Sequence, residues 1–136
     1  MKVTLDFDAF EPVRSYKTDA GLDLRASHGG VVPAHGAATF GTGVHVQLPP
    51  ETAGMLMPRS GLMIKHNILT FGVIDFSYRG EIRVQMFNLG DRDYIVKPGD
   101  RVTQMLITPV LCEPIEIVSK LDYGVRGDAG FGSTGY

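Results

Sequence analysis

Glycine and proline interrupt this chain too often for any long regular element to survive. Seventeen of its 136 residues are glycine, and many fall in turn signals. These include His28-Gly29-Gly30, Pro33-Ala34-His35-Gly36, Leu89-Gly90-Asp91 and Lys97-Pro98-Gly99-Asp100, with Pro49-Pro50 as a further break. Short apolar or alternating runs lie between them. Residues 81–86 alternate cleanly, which puts Ile82, Val84 and Met86 on one face. Residues 2–7, 44–48, 52–57, 94–96, 102–108 and 115–118 also read as strands. Many short strands joined by turns predict an all-β sandwich or barrel. One helix of about two turns is expected over residues 60–66, with Ser60 as its N-cap.

A chain of this length makes one domain and buries about two-thirds of its unfolded surface. Its single cysteine, Cys112, excludes an intrachain disulfide and a cysteine-based zinc site. Cys112 follows Val110-Leu111 and is expected to be a small buried hydrophobe, and the six methionines to be core filler. The four histidines show no metal-ligand spacing. A net charge of −2 argues against a nucleic-acid partner. No apolar run approaches the roughly 20 residues of a membrane span, so no membrane partner is expected. The first residues show no apolar signal-peptide core, which points to the cytoplasm, with a nucleus or a virus-infected host cell left open.

Five segments combine glycine with charged or hydroxyl residues. In Ala20-Gly21-Leu22-Asp23-Leu24, a carboxylate sits between leucines. It is either a turn Asp or a group facing a site, toward a hydrated metal ion. Pro58-Arg59-Ser60-Gly61 opens the expected helix, where N–H groups and dipole favour an anion. A capped helix with a surface Arg is the plainer reading of that tetrapeptide. Residues 72–82 read as a hairpin with Asp75 and Tyr78 near its tip, and such a carboxylate can deprotonate water. In residues 99–106, Gln104 is a polar residue in an apolar stretch and needs a partner if buried. The last segment, from Gly124 onward, holds Arg126, Phe131 and Ser133-Thr134 among glycines. It is either a frayed terminus or a polyphosphate cradle.

Taken in order, the five segments resemble the motifs of the trimeric dUTPase family, from residue 20 to 135. The resemblance implies an all-β jelly roll with one short helix over residues 1–123, and a glycine-rich tail, 124–136, that closes over the active site. It implies a homotrimer whose active sites are shared between subunits. The activity implied is hydrolysis of dUTP to dUMP and pyrophosphate, which lowers dUTP available for DNA synthesis and supplies the dTMP precursor. Asp75 would be the general base, and Asp23 would hold Mg2+ through water. Arg59, Ser60, Gly61, Gln104 and Arg126 would bind the phosphates. Gly72, Val73 and Ile74 would read the base, Tyr78 would pack on the deoxyribose and Phe131 would stack over the uracil, with Gly132 and Ser133 completing the tail's contacts. Two departures stand out. Leu69 falls where many members carry Asn, and Asp128-Ala129 replaces the usual small residue and Gly. The related dCTP deaminases have longer chains, a catalytic Glu and no such tail. A regulatory protein-binding member of the family is a third reading.

Overall fold

The computed structural model describes residues 1–125, 127 and 128. The strands in chain order are β1 (Lys2–Leu5), β2 (Leu22–Arg25), β3 (Gly30–Val32), β4 (Ala37–Gly41), β5 (Val44–Gln47) and β6 (Thr52–Met57). The helix α1 (Ser60–His66) follows, then β7 (Ile68–Thr70), β8 (Gly72–Asp75), β9 (Arg83–Asn88), β10 (Tyr94–Val96) and β11 (Arg101–Pro109). Among the described residues, every strand pairing is antiparallel. Two larger sheets, β2-β11-β6-β8 and β4-β9-β7, enclose the core, and two-stranded pairs β1-β5 and β10-β3 flank them. This is the all-β layering that the strand pattern predicts and the jelly roll that the family resemblance implies. No helix among the described residues is long and apolar enough to cross a membrane.

The core follows from period-two alternation. Ile82, Val84 and Met86 are fully buried, as their spacing predicts, and meet Leu24, Val102 and Met105 from the facing sheet. In β11 the register slips between Arg101 and Thr103. The bulge puts Val102 and Thr103 both inside, and beyond it Met105 points in while Gln104 points out.

Several expectations need correction. Residues 72–82 are not a hairpin. β9 already gives its two edges to β4 and β7, so β8 pairs instead with β6, and residues 76–80 cross from one sheet to the other. Residues 115–118 form no strand, because no edge of the chain's own sheets pairs with them; Ile115 and Ile117 are almost fully exposed. Cys112, on the same segment, is exposed. Met86 and Met105 are core, but Met1, Met57 and Met63 are exposed. The helix N-cap is Arg59, with no side-chain cap, and Ser60 is the first helical residue. Its hydroxyl is therefore not spent on capping. Asn67 closes the helix in the left-handed region, its N–H donating to the carbonyls of Leu62 and Met63.

Ile82 ties the lead into β9 to β5, its N–H donating to Val44 O at 2.8 Å. Ile82→Ala is expected to cost about 2–5 kcal/mol. Denaturant unfolding that showed almost no loss would place this residue outside the core.

Candidate functional site

Strand β11 assembles the first half of the site. Gln104 lies opposite Asp23 on β2 and opposite Met57 on β6, so one register brings three distant segments side by side. Residues directly opposite in an antiparallel pair share a face. Asp23 thus leaves the core side to Leu22 and Leu24 and turns outward with Gln104. The Gln104 amide has the partner its setting demands, since Nε2 donates to Pro58 O at 3.0 Å. A Cβ on Gly21 would stand 2.2 Å from Gln104 Oε1, so only glycine leaves room for the amide where it lies.

Asp23 is the electrostatic centre of this half. Arg59 Nε donates to Oδ1 at 2.9 Å, and Arg101 Nη1 donates to Oδ2 at 3.2 Å. The Asp23 side chain is only 12% exposed, so the two guanidiniums supply the charge that burial demands. Arg101 Nη1 also donates to Ser15 Oγ at 3.2 Å. Because Arg59 spends its Nε on Asp23, its side chain is anchored where it lines the cavity beside Ser60. That cavity, of about 280 Å3, is lined by Asp19, Gly21, Asp23, Arg59, Ser60 and Gln104, together with Gly61. An ideal Cβ on Gly61 would meet nothing within 4 Å.

The second half lies on β8 and the turn after it. Ile74 points into the core, while Val73 and Asp75 point out. β8 is the edge of its sheet, so alternate backbone N–H and C=O groups face away from β6 unpaired by a strand. Gly72 packs against Leu56, whose Cδ1 would stand 3.0 Å from a Cβ there. Tyr78 N–H donates to Asp75 O at 3.0 Å, and Tyr78 Oη donates to Glu81 O at 3.0 Å. The phenol lies over Gly80, where a Cβ would come within 2.3 Å of Oη. Val73, Ile74, Asp75, Tyr78, Glu81 and Arg83 line a separate cleft of about 250 Å3.

Asp23, Arg59, Ser60, Gly61 and Gln104 are thus together, and Val73, Ile74, Asp75 and Tyr78 are together, but in different clefts of one chain. Asp75 pairs with Ala53 at one end of β6, whereas Arg59 lies beyond Met57 at the other. Ala53 and Met57 alone are about 13 Å apart at strand rise. Arg126, Phe131, Gly132 and Ser133 fall outside the described residues. Sequence reasoning gave no role to Arg101, Glu81 or Arg83. Arg101 had a signal: a carboxylate flanked by leucines needs cations, and Arg101 shares a segment with Gln104.

The sequence model of the dUTPase family matches residues 8–135. The deoxyuridine 5'-triphosphate nucleotidohydrolase of Clostridium acetobutylicum is 42% identical over 134 residues, covering 96% of this chain and 92% of that one. The enzyme of the same name from Oryza sativa subsp. japonica is 44% identical over 132 residues, covering 96% and 77%. Among solved structures, the dUTPase of Staphylococcus bacteriophage 80alpha with dUpNHpp superposes with a TM-score of 0.92 at 26% identity, over 99% of this chain and 98% of that one. A mutant dUTPase from phage phi11 of S. aureus, solved to show the coordination of a structural Mg(II) ion, gives 0.81 at 25% identity, over 90% and 98%. The match spans both clefts and the strands that build them, and this chain belongs to the dUTPase family.

Proposed function

We propose that this chain hydrolyses dUTP to dUMP and pyrophosphate in the cytoplasm, as a homotrimer whose active sites combine the two clefts of different copies. The observation that carries this reading is their division of labour. One cleft holds cationic and hydroxyl groups suited to a polyphosphate, and the other an exposed carboxylate beside an unpaired strand edge. A general base must lie within reach of the water at the α-phosphorus. Arg59 and Asp75 stand at opposite ends of β6, too far apart within one chain to serve one triphosphate. A second copy removes the conflict.

Two more features support assembly. Residues 110–118 and 121–124 form neither helix nor strand, and Leu111, Ile115, Ile117, Leu121 and Tyr123 are exposed. An apolar run of that length in water marks a contact with another chain. Phe71 and Val73 add apolar surface beside β8.

In the reaction, Arg59 and Ser60 bind phosphate oxygens and Gln104 orients the chain of phosphates. Asp75 takes a proton from the water that attacks the α-phosphorus, and pyrophosphate leaves. Backbone groups of Gly72, Val73 and Ile74 on the open edge of β8 match the uracil edge and leave the amino group of cytosine unpaired. Tyr78, held over Gly80, packs on the deoxyribose. The tail, 124–136, then closes with Arg126 on the phosphates, Phe131 over the base, and Gly132 and Ser133 along the substrate.

The residues present fit Mg2+. Among those described, no three His, Cys, Asp or Glu side chains form a cage. Magnesium does not need one, since it keeps several waters and takes its other oxygens from phosphates. Both Asp23 oxygens already accept from guanidiniums, and each retains a lone pair for a bound water. Asp23 is therefore the group that would hold the ion through water, and the ion would supply neutralisation of phosphate charge.

Asp75→Asn keeps the shape of the strand end and removes the base. Pyrophosphate release from dUTP is expected to fall about 10²- to 10⁴-fold in kcat; near-normal turnover would refute the role. Shared sites have a sharper test. Asp75→Asn and Arg59→Ala chains, each nearly inactive alone, should regain activity when unfolded together and refolded as mixed trimers. No recovery would return each site to a single chain. Gly21→Ala collides chiefly with the end of the Gln104 side chain, which can swing aside, and crowds Gln104 Cβ at 3.1 Å, so the melting temperature should fall only slightly. Because the Gln104 amide must shift, dUTP binding is expected to weaken about tenfold, as read by calorimetry with a non-hydrolysable analogue.

A further inference from the structure

His45, on the outward face of β5, stands between two groups that can only accept a proton. Nδ1 lies 2.9 Å from the carbonyl oxygen of Arg79, and Nε2 lies 3.3 Å from Oδ1 of Asp6. A neutral imidazole has one N–H and cannot serve both partners, whereas the imidazolium serves both. The charged groups around it are Lys2 and Asp6 from β1 and the turn after it, and Arg79 and Glu81 from the segment after β8. Glu81 is itself fixed, accepting from Gly43 N–H at 2.9 Å. The turn that His45 touches is a unit. Arg79 Nη1 donates to Phe76 O at 2.7 Å and to Tyr78 O at 2.8 Å, which folds the guanidinium back over residues 76–79. The hydrogen bond from His45 to Arg79 O joins that unit to the β1-β5 pair.

We propose that His45 is a positioning residue for the turn that carries Tyr78: as an imidazolium it ties the Arg79 carbonyl to the Asp6 carboxylate, and loss of its proton releases one of the two. The proposal rests on the reading of this cleft as the nucleoside site. The hydrogen bond to Arg79 O, above all, raises the His45 pKa above the ordinary histidine value; burial opposes it, and Asp6 and Glu81 add to it. For a group raised in this way, the tether is complete below the unfolded-state value and is lost as pH rises through the folded one. Substrate capture then weakens on the alkaline side while the chemistry at Asp75, which His45 does not touch, continues. The expected signature is a rise in KM, not a fall in kcat.

The test is a pair of titrations on the full chain from about pH 5 to about pH 9. In the first, NMR of the unliganded protein follows the His45 ring nitrogens and the backbone amides of residues 76–80. The ring should titrate above the ordinary histidine value, and those amides should shift with the same midpoint. A ring that titrates at or below that value, or amides that stay still, overturns the proposal. In the second, KM for dUTP is measured in the natural protein, in His45→Leu and in His45→Asn, which keeps an N–H for the Arg79 carbonyl but has no proton to lose. KM of the natural protein should rise about three- to tenfold through the transition. His45→Leu should stay at the high value and His45→Asn near the low one. An unchanged pH dependence in His45→Leu overturns the positioning role. If no dUTP were cleaved at all, the substrate reading would fall, while the ring and amide shifts would still decide the tether.

Discussion

The cleft that gathers Asp23, Arg59 and Gln104 depends on β11 being paired along both edges. With β2 on one side and β6 on the other, a single strand fixes the relative heights of Asp23, Gln104 and Met57. Everything beyond follows from that register. Pro58 receives the Gln104 amide, Arg59 meets Asp23, and α1 starts where its first turn faces the cavity. The bulge after Arg101 is what allows one strand to serve two purposes. Before it, Arg101 reaches Asp23 from the side; after it, inward and outward residues alternate again, with Met105 in the core and Gln104 in the cleft. A one-residue slip without the bulge would exchange those faces.

Asp23 shows how such a site can be both buried and charged. A lone carboxylate at that depth would be strongly disfavoured, and removing either guanidinium would leave it short of compensation. Arg59 from the head of α1 and Arg101 from β11 meet different oxygens, so the carboxylate also cross-links β2, β11 and the start of α1. Arg59 is thereby oriented by a protein contact within the chain itself. A preorganised donor loses less freedom on binding than a mobile surface Arg.

Much of this was legible in the chain, for reasons that differ by element. β5, β6, β9, β10 and β11 were legible because each alternates or lies between turn residues. Their faces followed too: Ile82, Val84 and Met86 went inside as spaced. β2 carried no such signal. Leu22-Asp23-Leu24-Arg25 has a buried charge in it, and what makes that tolerable comes from residues 36 and 78 positions away. The sheet change after β8 was equally hidden. A Gly-bounded turn between two apolar runs reads as a hairpin, and only the prior claim of β4 and β7 on β9 forbids it. Most of the described residues that line the two clefts stood out in the sequence as motifs. Their division between two clefts came only through the family resemblance, which implies sites shared between subunits; sequence order itself says nothing of which end of β6 each group reaches.

That division bears on how stability and activity are linked. The exposed apolar segment after β11 and the open edge of β8 are both unsatisfied in one chain, and each is costly to leave in water. In the proposed role of reading a nucleobase, the edge of β8 must stay unpaired in its own subunit, so it cannot be blunted by another strand of the same fold. Exposed apolar side chains must be covered without covering that edge. The proposed assembly of identical copies would meet both demands at once, burying the segment and setting the cleft of Arg59 and Ser60 in one copy against the open edge of β8 in another. On this view the chain's marginal features as a monomer and the incompleteness of its site have one origin. Selection for the shared site would then act directly on the contacts that hold the copies together.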